Sequence, residues 1–187
     1  MSEATAKILE LRELIAQKEG KLSLRERLPS STLSCGIPRA AITEIAGSAK
    51  IEWILQFLKE NALLKVFWVE ADFTLFPTGI HQRGLQPSRF VFAEGGDDVF
   101  KTLRGALRCQ VFECVVAPNA FPEEKMLKAL QLLSEKSNAS VLLLNESLQA
   151  SWPITTQFEV HRGPRGRGFE IELKKNKGTS EQAEGQA

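Results

Sequence analysis

Cysteine is scarce: Cys35, Cys109 and Cys114 are the only three, and they form neither an even-numbered set nor a CxxC pair. That excludes a disulfide framework and a thiolate zinc site, and it fits a reducing compartment where each thiol packs as a small apolar residue. Histidine is scarcer still. His81 and His161 stand alone, with no metal-ligating neighbour at useful spacing, so both read as structural or surface residues. No apolar run is long enough to cross a bilayer, and the start MSEATAKILE carries acids where a signal peptide would be basic and then apolar. The expected location is the cytoplasm. A charge bias is also missing. Lysine and arginine number 24 against 23 aspartates and glutamates, a net +1, so a nucleic acid or membrane would have to be met by a local patch.

What the chain does have is enough apolar material for one core: 43% of its 187 residues are hydrophobic. Residues 1–20 place Ile8, Leu11 and Ile15 at helical spacing, with Gly20 as a stop signal. This amphipathic helix either docks on its own domain or offers its apolar stripe to a partner. Residues 21–32 are polar and proline-punctuated and read as a linker.

A core domain is expected over 33–175. Within it, AITEIA, KVFWVEA, RFVFAE, FECVVA and SVLLLN read as strands. IEWILQFLKENAL, DDVFKTLRGALR and PEEKMLKALQLLSEK read as helices between them. Apolar strands alternating with helices predict an α/β fold: a mainly parallel sheet covered on both faces. ITTQFEVH and GFEIELKK flank the turn RGPRGRG and predict a closing antiparallel hairpin. Its Arg162, Arg165 and Arg167 are either phosphate contacts or a solvated tip. Residues 176–187 have almost nothing to bury and read as a disordered tail.

The segment GIPRAAITEIAGSAKIEW sets a phosphate-binding P-loop's context without its contents. A P-loop bends several backbone N–H groups around phosphate, reaches it with a lysine and places a hydroxyl on magnesium. Here Gly47, Ser48, Ala49 and Lys50 are followed by Ile51. Against GxxxxGK[ST] the loop is about three residues short, without a second glycine or the hydroxyl. The strand FECVVAP ends in Ala117 and Pro118, where a metal-holding acid would be needed. Glu70 and Asp72 end another strand and read as solvated carboxylates. Lys50 reads either as an anion contact or as a solvated first-turn lysine. No catalytic constellation and no cofactor are expected.

These residues carry a resemblance. GIPRAAITEIAG is similar to the segment entering the P-loop of RecA recombinases, including the internal glutamate, here Glu44. VEADFTLFP resembles the segment bearing their catalytic glutamate, with Asp72 at the matching position. FECVVAP resembles the strand that ends in their magnesium-binding aspartate, here Ala117. VLLLNE resembles the strand ending in asparagine and a nucleotide-sensing glutamine, here Asn145 and Glu146. The likeness runs from Leu33 to His161. It implies a RecA-like fold of the branch without ATPase motifs. ImuA-like proteins of that branch, accessory to translesion synthesis, bind RecA and the polymerase-like subunit ImuB. SulA-like proteins, which inhibit division, bind FtsZ. The departures at Gly47–Ile51 and Ala117 remove any carry-over of ATP hydrolysis. A divergent P-loop ATPase is the remaining alternative.

Overall fold

The computed structural model describes residues 26–70, 75, 77–96, 98–121 and 123–177. The expected N-terminal helix with Ile8, Leu11 and Ile15 lies outside them, as do Asp72 and residues 178–187.

Among the described residues, nine strands and four α-helices follow one another. They are β1 (Arg27–Leu28), β2 (Ile37–Pro38), β3 (Ala41–Ala46), α1 (Lys50–Glu60), β4 (Val66–Glu70), α2 (Pro77–Gln82), β5 (Phe90–Glu94), α3 (Val99–Cys109), β6 (Cys114–Pro118), α4 (Glu124–Ser137), β7 (Ser140–Leu144), β8 (Thr156–Arg162) and β9 (Phe169–Asn176). A seven-stranded sheet runs in the order β5-β4-β6-β7-β3-β8-β9. All its pairings are parallel except β8 with β9. The expected α/β architecture and closing hairpin are therefore what the chain forms.

Strand side chains point alternately to the two faces, and each face has its own core. On one, Trp53, Ile54 and Leu58 of α1 and Ile80 of α2 cover Ile45, Trp68, Val116, Leu142 and Phe158. Trp53 anchors this side, stacked on Phe57 at 5.6 Å and edge-on to Phe158 at 4.9 Å. On the other, Leu103 and Leu107 of α3 and Leu127 and Leu130 of α4 cover Ile42, Val69, Val115, Val141 and Leu143. Both faces are closed, as unbroken apolar strands require.

Three local features differ from expectation. Part of the expected linker is built into the fold: β1 pairs antiparallel with β2, and Leu28 is buried. Arg27 fastens this pair through Nε to the Cys35 carbonyl and through Nη2 to Asn176 Oδ1 at 3.0 Å. Helix α2 lies in FPTGIHQRG, where no element was expected; its short length and internal glycine hide the helical period. The cysteines do not share one environment. Cys114 is buried, Cys35 half-buried and Cys109 exposed at the end of α3, so only Cys114 packs as an interior residue.

Candidate functional site

Parallel α/β sheets place ligands beyond the carboxyl ends of their strands. Here the ends of β3, β6 and β7 converge, stitched by Asn119 N–H to the Leu144 carbonyl at 2.7 Å and Asn145 N–H to the Ile45 carbonyl at 3.0 Å. Gly47–Lys50, Ala117–Asn119 and Asn145–Glu146 thus meet in one region.

The turn after β3 is tight and folded onto β8. Ala49 N–H donates to the Val160 carbonyl at 3.1 Å, and Lys50 N–H to the Gly47 carbonyl at 3.4 Å. Gly47 adopts φ +98°, and a Cβ there would lie 2.3 Å from the Val160 oxygen, so glycine is required both by conformation and by space. Two amides at the position of a phosphate cradle therefore already serve the protein itself. Ser48 Oγ lies 3.4 Å from His161 Nδ1, and the imidazole Nε2 lies 4.0 Å from a Glu159 oxygen.

Lys50 is not solvated as a free cation. Its side chain is 16% exposed, and its Nζ meets Glu146 Oε1 at 2.8 Å. The hydrogen bond from Lys50 and its charge hold the Glu146 carboxyl below the ordinary carboxylate range. The first helical turn thus closes against the end of β7, with the lysine neutralised from within the chain.

Beneath this turn sits a polar cluster that the residue pattern did not reveal. Glu44 is fully buried in mid-sheet. One carboxylate oxygen accepts from Asn119 Nδ2 at 2.6 Å and Asn145 Nδ2 at 3.0 Å. The other accepts from Gln149 N–H at 3.1 Å and Gln157 Nε2 at 2.6 Å. Four donors fill the acceptor directions a carboxylate offers, which is how a buried acid avoids its desolvation cost. The same residues tie β3, β6, β7, β8 and the 145–149 turn together. Glu44 and Asn145 were visible within the motif. Asn119, Gln149 and Gln157 come together only through the sheet order, which spacing along the chain cannot show.

The other expected site residues separate. Ala117 is buried in β6 and brings no carboxylate. Glu70 is not a free solvated acid: it accepts from Trp68 Nε1 at 3.0 Å and Leu75 N–H at 3.2 Å. Arg162 pairs with Glu52 at 3.3 Å and lies over the Phe169 ring at 5.9 Å, so it braces the hairpin against α1. Arg167 is exposed, and Arg165 falls in the short 3-10 turn Pro164–Gly166.

ATP and magnesium are what a RecA-like fold would hold here, and the residues do not fit them. The turn is short, two of its amides are used internally, its lysine is paired and the β6 terminus lacks an acid.

The sequence matches no protein-family model. No curated protein matches it either. Among solved structures, it is similar to the crystal structure of the RadB recombinase, at 17% identity and a TM-score of 0.54, over 75% of this chain and 83% of that one. The fold is RecA-like.

Proposed function

We propose that this protein is a non-catalytic RecA-like accessory factor of the bacterial DNA-damage response, ImuA-like, that works by binding RecA, a translesion polymerase subunit of the ImuB kind, or both. The observation that carries this reading is the closed turn at Gly47–Lys50, with its amides bonded to β8 and to itself and Lys50 held by Glu146. A scaffold retained while its phosphate cradle is filled from within is suited to contact rather than turnover. The similarity to the RadB recombinase, itself named for recombination, agrees with a setting in DNA metabolism.

Two features suit such contacts. One is the apolar stripe Ile8, Leu11 and Ile15, a pattern suited to a helix-in-groove contact. The other is the outer edge of β5. It ends the sheet, exposes Val91 and carries no charged side chain before Glu94. The opposite edge, β9, bears Glu170, Glu172, Lys174 and Lys175, the kind of charge that blunts edge pairing. Arg165 and Arg167 at the hairpin tip add at most an assisting phosphate contact, since Arg162 is committed to Glu52 and the net charge is only +1.

The test is a pull-down of purified RecA and of the polymerase subunit by the full chain. The wild type is expected to retain one of them, and alanine at Ile8, Leu11 and Ile15 together to release it. Undiminished retention by the triple variant would argue against the helix as the docking element. Retention of FtsZ instead, with elongated cells on overproduction, would shift the assignment to a SulA-like division inhibitor.

A further inference from the structure

The outer surface of α3 and α4 combines exposed apolar area with positive charge. Between the two helices runs an open groove of about 490 Å³. Its floor is apolar: Phe100, Met126 and Leu133 are half-buried, and Leu132 is 66% exposed at its edge. The polar groups bordering it are all cationic. Arg104 and Arg108 rise from α3 and Lys125 from α4, laying their aliphatic stems along the groove.

The neutralisation of these cations is uneven. Lys125 meets Glu123 at 2.6 Å, and Lys128 meets Glu124 at 2.8 Å, which uses the carboxylates of the first turn of α4. Arg104 lies over the Phe100 ring at 5.5 Å and, like Arg108, has no carboxylate partner among the described residues. The surface therefore presents exposed apolar area beside two guanidiniums without counterions. Groups of that kind recruit apolar anchors and carboxylates together.

We propose that the α3–α4 groove docks an acidic amphipathic helix of a partner protein, with leucine-type anchors over Leu132 and Met126 and carboxylates on Arg104 and Arg108. Helix α4 is 14 residues long, about 21 Å at the helical rise, which accommodates an i, i+3/i+4, i+7 set of anchors. The chain's own ends are poor occupants. On a helical wheel, Lys7, Arg12 and Lys18 border the Ile8, Leu11 and Ile15 stripe with Glu19 as the one acid beside it, so that stripe would bring cations to cations. The last residues supply Glu181 and Glu184 without an apolar anchor. Docking in this groove requires neither the N-terminal helix nor the RecA assignment, and it can fail while that assignment stands.

The probe is a fluorescein-labelled helical peptide of leucines at i, i+3, i+4 and i+7 separated by glutamates. Its twin has lysine for every glutamate. Fluorescence anisotropy with the full chain is expected to show saturable binding of the acidic peptide and none of the basic one. Arg104→Glu with Arg108→Glu is expected to weaken the acidic peptide roughly tenfold or more and to create binding of the basic twin. Leu132→Asp should weaken the acidic peptide with no change in thermal midpoint, because the side chain is exposed. Equal binding of both peptides, no binding of the acidic one, or acidic binding indifferent to the charge reversal would overturn the proposal. Full displacement by phosphatidylglycerol vesicles would also overturn it, in favour of an anionic lipid surface.

Discussion

The carboxyl end of β3 and the outer face of α3 and α4 treat their polar groups in opposite ways. At the first, the groups nearest a phosphate position are mostly used from within: Glu44 by four donors, Ala49 and Lys50 N–H by backbone carbonyls, and the Lys50 ammonium by Glu146, while Asn119 Oδ1 is buried without a hydrogen-bond partner. At the second, apolar area stands beside two guanidiniums that have no carboxylate partner among the described residues. Buried polar groups must be satisfied or they cost stability, so the first region is a structural keystone. Exposed unpaired groups cost little and remain available. The difference teaches that sites should be sought where the protein leaves its own chemistry unfinished. In this chain that is not where the fold usually binds phosphate.

The comparison breaks most directly at Glu44. If its network is structural, Glu44→Ala removes the shared acceptor of four hydrogen bonds, three of them part-buried and one buried, and should cost roughly 3 kcal/mol, read from the urea midpoint at constant m-value. A loss below about 1 kcal/mol would mean that water replaces the carboxylate there and that the region is open after all. Gly47→Ala tests the closure of the turn. A Cβ meeting the Val160 oxygen at 2.3 Å, with φ +98°, should cost about 2–3 kcal/mol. A neutral result would place the turn away from β8.

A smaller effect separates interior from exterior by reactivity. Burial pushes the Cys114 thiol up to about 12, so it should resist a thiol-specific disulfide reagent until the protein unfolds, while exposed Cys109 reacts at once. Rapid labelling of all three thiols in the folded protein would contradict the packing of β6. The smallest effect lies in the Lys50–Glu146 pair. Because the Glu146 carboxyl is held low by the Lys50 hydrogen bond, the pair's contribution is present above the unfolded carboxylate pKa and is lost as pH falls through the folded value. A carbon-detected NMR titration should find Glu146 below the ordinary range in the wild type and back within it in Lys50→Ala.

Much of the fold could be read from residue order because most elements are regular and locally consistent. The strands AITEIA and SVLLLN are apolar at every position but one or two, and α3 keeps Val99, Leu103, Ala106 and Leu107 on one face. What escaped depends on contacts far apart in the chain. Strands β1 and β2 span two residues each and exist through Arg27 reaching Cys35 and Asn176, which no local pattern announces. Arg89 caps the end of α1 by donating to the carbonyls of Leu64, Leu58 and Asn61 at 3.0, 3.1 and 3.0 Å, again across the fold.

Within the candidate site, the short loop and the missing β6 acid were plain, because each is a gap in a fixed spacing. From position alone Glu70 reads as solvated, and Lys50 either as solvated or as an anion contact. Glu146 reaches Lys50 from a distant segment, while Trp68 and Leu75 reach Glu70 from its own strand and the turn after it, through side-chain and backbone geometry that spacing does not show. The four donors around Glu44 come from beyond β6 and β7 and from within β8, so the glutamate was visible as part of a motif and its role was not.

The central claim is that the Gly47–Lys50 turn is closed to a triphosphate by the protein's own bonds, and isothermal calorimetry of the full chain with ATP and magnesium tests it without intermediaries. No heat of binding at millimolar nucleotide is the predicted result. Micromolar affinity that disappears in Lys50→Ala would contradict it.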